Sequence, residues 1–221
     1  MSSSSASAPT RVVVLISGSG SNLQALIDGM RKGELPIDIV AVISNRPAVF
    51  GLTRAEQASI PALVLDHKQF ADRESFDEEL ARLIDSYQPD LVVLAGFMRI
   101  LTTEFTRHYE GRMLNIHPSL LPKYQGLHTH QRVLDAGEIE HGVTVHFVTA
   151  ELDGGPSVIQ ARISVEAGDD AVSLAKRVQQ QEHIIYPLAV KWFAEGRLRM
   201  DDRGVLLDNE LLPPSGYLIT A

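Results

Sequence analysis

The chain has 221 residues, 44% hydrophobic, 22% charged and 6% aromatic, with 20 Lys and Arg against 28 Asp and Glu, a net charge of -8. That composition builds a sizeable core and excludes global disorder, and the acidic balance excludes a basic nucleic-acid footprint spread over the whole chain. Cysteine is absent, which removes disulfides, a thiolate nucleophile and Cys-ligated metal and permits a reducing compartment.

Residues 1–10, Met-Ser-Ser-Ser-Ser-Ala-Ser-Ala-Pro-Thr, read as a flexible tail without the cationic and apolar regions of a secretory leader. No apolar run approaches the roughly 18 to 20 residues that span a bilayer, so a cytoplasmic protein with no membrane partner is expected. Arg11–Ile16 is a continuous apolar run, hence a buried strand, and ends in Ser17-Gly18-Ser19-Gly20-Ser21-Asn22. A helix follows from about Leu23 to Arg31, then strands over Ile37–Ile43 and Ala62–Leu65. Between Phe70 and Tyr87, the residues Phe76, Leu80, Leu83, Ile84 and Tyr87 recur at helical spacing. Strands are expected at Asp90–Ala95 and Arg112–Ile116, and longer ones without an intervening helix at Val143–Val148 and Val158–Ile163. A helix from about Asp170 to Phe193 carries Pro187, which should kink it, and the stretch after Arg197 reads as a short, turn-rich tail. Strands alternating with helices point to a parallel sheet covered on both faces, modified in its second half. Nothing marks a linker, so one domain over 11–221 is expected.

The Ser17–Asn22 loop presents backbone N–H groups at a helix start, which suits a phosphate. It lacks the third glycine of the dinucleotide fingerprint, and Ser44-Asn45-Arg46 stands where that fingerprint wants an acidic residue. It also lacks the Gly-Lys-Ser/Thr of a P-loop. A monophosphate site and a tight turn that merely needs glycine both remain open. Asn115 and His117 fall on one side of a strand end by period-two alternation. An amide beside an imidazole there suits a developing oxyanion, although a lone histidine is as readily structural. Asp153, in Glu151-Leu152-Asp153-Gly154-Gly155-Pro156, could orient His117 and favour its imidazolium or simply bond its own turn. His128, His130, His141 and His146 offer nitrogens, but no Cys or HExxH pattern accompanies them, and no metal is expected. Gln179 and Glu182 share a helix face with Val172, Ala175 and Tyr186, which pattern alone reads as solvated.

Together the segments Ile16–Gln24, Ala95–Leu101, Asn115–Pro122, Leu152–Pro156 and Gln181–His183 resemble the phosphoribosylglycinamide formyltransferases, a folate-dependent family of purine synthesis. The resemblance runs from about Arg11 to Tyr217, with Ser19 standing where that family often has Asn. It implies an α/β, Rossmann-like doubly wound sheet, mostly parallel with an antiparallel extension in the second half, the formyltransferase fold. Residues of about 11–110 would form the phosphate and ribonucleotide side, and about 111–200 the catalytic and folate side. It further implies Asn115, His117 and Asp153 as catalytic residues. Gly20, Ser21, Asn22, Gln179 and Glu182 would contact glycinamide ribonucleotide. Arg73, Met98, Arg99, Ile100, Leu101, Asn115, Val148, Thr149, Ala150, Glu151, Leu152 and Asp153 would hold 10-formyltetrahydrofolate as co-substrate, with no metal. A monomer or homodimer without nucleic-acid partners is expected. The rival readings are a methionyl-tRNA formyltransferase, a 10-formyltetrahydrofolate hydrolase and a non-enzymatic phosphoribosyl-ligand binding protein. The first two are set against by chain length and charge, the third by Asn115, His117 and Asp153 occurring together. The loop from Pro118 to Leu127, rich in Pro and Gly, is expected to order around the folate.

Overall fold

A computed structural model of the chain describes residues 7–221. The tail expected over 1–10 thus lies in its first six residues outside the described residues; Ser7, Ala8 and Pro9 are exposed, without regular structure. The frame is an eight-stranded sheet whose strands follow from apolar runs. They are β1 (Thr10–Ile16), β2 (Ile37–Ser44), β3 (Ala62–Val64), β4 (Leu91–Leu94), β5 (Met113–His117), β6 (Glu140–Phe147), β7 (Ser157–Ser164) and, from the C-terminus, β11 (Tyr217–Thr220). Their spatial order is β11-β7-β6-β5-β4-β1-β2-β3. Pairing is parallel except that β6 runs against both β5 and β7. Sequence order leaves β1 toward β2 on one side and resumes at β4 on the other, so a crevice opens at the carboxyl ends of β1 and β4.

Val12 to Ile16 are fully buried on both faces, as a covered parallel strand requires. Val12, Val14 and Ile16 enter one core with Leu23, Leu26 and Ile27 of α1 (Ser21–Arg31) and Leu174, Val178, Ile185 and Tyr186 of α6 (Ala171–Ala194). Val13 and Leu15 enter the other with Phe76, Leu80 and Ile84 of α3 (Arg73–Ser86). Asp72 caps α3 by accepting 2.7 Å from Ser75 N–H, and Asp170 and Ser173 form a reciprocal capping box on α6. Pro187 does not end α6. It removes one N–H, while Tyr186, buried alongside, donates its hydroxyl to Leu94 O (2.7 Å) and Leu114 O (3.0 Å), tying the helix to two strands.

Three short helices, α2 (Phe50–Gln57), α4 (Thr103–His108) and α5 (Thr129–Asp135), were not expected. Six to eight residues are too few for a period to show. The turn-rich tail expected after Arg197 is corrected more substantially. β8 (Leu198–Asp201), β9 (Gly204–Leu207) and β10 (Glu210–Leu211) form a separate three-stranded antiparallel sheet, and β11 adds to the main sheet beside β7. The β9–β10 turn is Asp208-Asn209, both at positive φ (52° and 66°), as a two-residue hairpin turn demands.

Candidate active site

β5 ends the row. Met113 belongs to the α3-side core and Leu114 to the α1/α6-side core, so alternation carries Asn115 and His117 on from Met113, beyond the cover of the helices. Asn115 lies level with Leu94 of β4 and His146 of β6. Among the described residues its side-chain amide makes no hydrogen bond, which leaves two N–H donors free. His117, only 7% exposed, meets Asp153 through Nδ1, 3.5 Å from Oδ2. Its Nε2 lies 2.8 Å from Tyr124 O; a carbonyl only accepts, so this nitrogen carries a proton.

Asp153 is held by the turn that carries it. Its φ is 50°, a left-handed conformation that Asp tolerates better than most residues. Gly126 N–H donates 2.9 Å to Oδ2, and Gln125 Nε2 donates 3.3 Å to the Asp153 carbonyl. Behind it the chain passes against β6: a Cβ on Gly155 would lie 1.8 Å from Phe147 O. Oδ1 faces His146 Nε2 at 4.0 Å. His146 Nδ1 donates 2.9 Å to Phe147 O, burial lowers its pKa, and its buried Nε2 has no partner. The four histidines open to a metal reading do not converge on one point. His128 is exposed and precedes α5. His130 Nδ1 and His141 Nε2 share a bond of 2.9 Å. Burial lowers the pKa of both, His141 to about 4. Among the described residues no group of three or more His, Cys, Asp or Glu is placed to hold a metal.

The glycine-rich loop sits at the start of α1. Gly20 takes φ 73° as its N-cap, and Gln24 N–H is the first to bond back, to Gly20 O. The N–H groups of Ser21, Asn22 and Leu23 therefore point out of the helix end. α6 reaches the same loop from the second half of the chain: Gln179 Nε2 donates 3.1 Å to Ser21 Oγ, and Asn22 Nδ2 donates 3.1 Å to Glu182 Oε2. The helix face read as solvated is exposed at Val172 and Gln179, and through Gln179 and Glu182 it also contacts the loop. Burial raises the Glu182 pKa against the lowering effect of the Asn22 bond. Asn22 Oδ1 is buried without a partner.

The residues grouped by resemblance as a folate pocket lie over the α3 side. Val148 shares its core with Leu101, while Met98, Ile100 and Leu152 remain more than half exposed (57%, 52% and 53%). Thr149 is half-buried, and Ala150 and Glu151 are exposed on the same turn. Arg99 stacks on Phe76, 4.5 Å from the ring centroid, with its Nε buried and unpartnered. Arg73, exposed at the start of α3, and Arg99 both act on Asp77, whose pKa burial raises and whose Oδ2 accepts 2.7 Å from Thr102 N–H. Three further residues brace the site, each in a stretch the sequence singles out and none a candidate by itself. Ser17 Oγ accepts 2.8 Å from Met98 N–H and bonds Asn45, joining the loops after β1, β2 and β4. Tyr124 and Gly126 act through a backbone carbonyl and a backbone N–H, which no side-chain pattern reveals.

Comparison with known proteins gives the family. A model of the formyl transferase family matches residues 10–190. The chain is 56% identical over 206 residues to the phosphoribosylglycinamide formyltransferase of Escherichia coli strain K12, covering 93% of this chain and 97% of that one. It is 52% identical over 188 residues to the trifunctional purine biosynthetic protein adenosine-3 of Drosophila melanogaster, covering 84% of this chain and 14% of that one. A solved phosphoribosylglycinamide formyltransferase from Coxiella burnetii, in complex with CHES, matches with a TM-score of 0.92 and 54% identity over 95% of this chain and 99% of that one.

Proposed function

The chain belongs to the formyl transferase family, and from that premise we propose how its residues carry out the reaction. That reaction is transfer of the formyl group of 10-formyltetrahydrofolate to the amine of glycinamide ribonucleotide, in purine synthesis. Asn115, His117 and Asp153 are the proposed catalytic residues. The ribonucleotide amine attacks the formyl carbon, the carbonyl oxygen becomes an oxyanion, and collapse breaks the bond to the folate nitrogen, which takes up a proton as the amine loses one. The free amide of Asn115 and the imidazolium of His117 donate to the oxyanion, and Asp153 holds the cation and relays protons between the two nitrogens.

The observation that carries this reading is the His117–Asp153 pair, buried at 3.5 Å, with an unspent amide two residues away on the same strand side. The Tyr124 carbonyl marks where His117 Nε2–H points. For that donor to serve an oxyanion, the formyl oxygen must take the place of the carbonyl, so the loop from Pro118 to Leu127 shifts as the formyl donor binds. Gly20, Ser21 and Asn22 contact the ribonucleotide, whose phosphate sits on the outward amides of the helix start, with Gln179 and Glu182 on the sugar and glycinamide. Arg73, Met98, Arg99, Ile100, Leu101 and Val148 through Asp153 line the folate subsite.

We further propose one formyltransferase domain over 11–221, a monomer or homodimer in the cytoplasm, without nucleic-acid partners. No helix among the described residues is long and apolar enough to cross a membrane. Asn115→Ala and Asp153→Asn test the reading. Each is expected to lower kcat by about 100-fold or more while the fold is kept, the scale of losing one oxyanion donor or its support. Near-normal turnover in folded Asp153→Asn protein would overturn the assignment of Asp153.

A further inference from the structure

Arg54, on α2, has no part in the scheme above, yet it holds the glycine-rich loop from behind. Its Nε donates 2.7 Å to Ser19 O and its Nη1 donates 3.2 Å to Gln24 Oε1, while its Cζ lies 4.6 Å over the Phe50 ring centroid. The backbones come close enough for this because they meet glycine to glycine. Gly51 N–H donates 3.0 Å to Gly18 O, a Cβ on Gly20 would lie 2.8 Å from Gly51 Cα, and one on Gly51 would lie 2.4 Å from Ile16 Cδ1. Arg54 follows Gly51 by three residues, one helical turn along α2. Its two bonds therefore span the loop: one to the carbonyl just before Gly20, the other to the first turn of α1.

An open cleft of about 530 Å³ lies beside the loop, lined in part by Ser21, Gln24, Arg54 and His183. A carbonyl carries the negative end of its peptide dipole. Left free at Ser19, it would bring that end to a place where outward amides are to receive an anion. The guanidinium fixes the carbonyl, neutralises it and leaves a positive charge beside the helix start. Arginine suits this because its planar fork makes two bonds in fixed directions, which an ammonium cannot do.

We propose that Arg54 is a positioning residue for the substrate phosphate, locking the Ser19–Asn22 loop with its amides outward. The proposal rests on the functional reading above. Steady-state kinetics of the full chain test it. Arg54→Gln is expected to raise KM for glycinamide ribonucleotide about tenfold or more, with kcat and KM for formyl folate within about twofold. Inhibition by inorganic phosphate, used as a probe, should weaken in step. Arg54→Lys should recover only part of the loss. An unchanged KM in folded Arg54→Gln protein overturns the proposal, and so does an equal loss toward both substrates, which would make Arg54 a general structural residue. If Arg54→Gln does not fold, Arg54→Lys with a wild-type KM overturns it. Wild-type protein that fails to transfer the formyl group sinks the parent reading instead.

Discussion

At Asp153 the backbone sits at φ 50° and the carboxylate has two occupations: Oδ2 serves Gly126 N–H and His117, and Oδ1 turns to His146. A left-handed aspartate costs roughly 1 kcal/mol, which the surrounding turn must offset; here the contacts to Gly126 and Gln125 do so. Glu182 illustrates the opposite pressure. Burial raises its pKa, and only Asn22 draws it down. On acidification it therefore protonates above the ordinary carboxylate range and loses the anionic acceptor that Asn22 uses. KM for glycinamide ribonucleotide should rise as pH falls toward that range, and Glu182→Gln should flatten the rise; a pH–KM profile identical in the two proteins would contradict this. The pairing of His117 with Asp153 and the placing of Asn115 on the same strand side were legible because they depend on side chains at a strand end and a Gly-Gly turn. Tyr124 and Gly126 were not, since a carbonyl and an amide belong to every sequence. Gln179 and Glu182 had a role by resemblance alone, since their spacing does not show that α6 lies against the start of α1.

Elements tell a similar story with different causes. β1 and β4 were legible within a few residues because unbroken apolar runs need two covered faces, and β2, β6 and β7 because β-branched residues recur along them between polar ones. α3 was legible from Phe76, Leu80 and Ile84, all fully buried. α2 was not, although it abuts the glycine-rich loop, for its eight residues open on two glycine-scale contacts rather than an apolar stripe. The Asp208-Asn209 hairpin did carry a local signal, a pair of residues tolerant of positive φ between Leu206-Leu207 and Glu210-Leu211. Gly155 is where an element depends on one missing atom. Alanine there would drive Cβ to 1.8 Å from Phe147 O and lift the 148–155 turn off β6. Gly155→Ala is expected to lower unfolding stability by about 2 kcal/mol or more and to cost turnover with it; denaturant melts that match wild type would refute the packing argument.

Across the whole molecule, under the proposed function, the sheet separates two tasks and its carboxyl edge joins them. The α1/α6 face carries the loop, Gln179 and Glu182; the α3 face carries Arg99, Leu101 and Val148; Asn115 and His117 stand at the edge between. That division predicts separable defects. Arg99→Ala should raise KM for formyl folate several-fold, about the scale of one charged contact, and spare the ribonucleotide, whereas Gln179→Ala should do the reverse. Both KM values moving together in either variant would contradict two distinct subsites.

The central claim is that these subsites meet in a single formyl transfer, and one assay addresses it most directly. Purified protein is mixed with 10-formyltetrahydrofolate, with and without glycinamide ribonucleotide, and folate absorbance is followed. The account predicts rapid change only when the ribonucleotide is present, abolished in Asp153→Asn. Equal change without the ribonucleotide would make the protein a hydrolase, and no change in either mixture, with folding confirmed, would contradict the account outright.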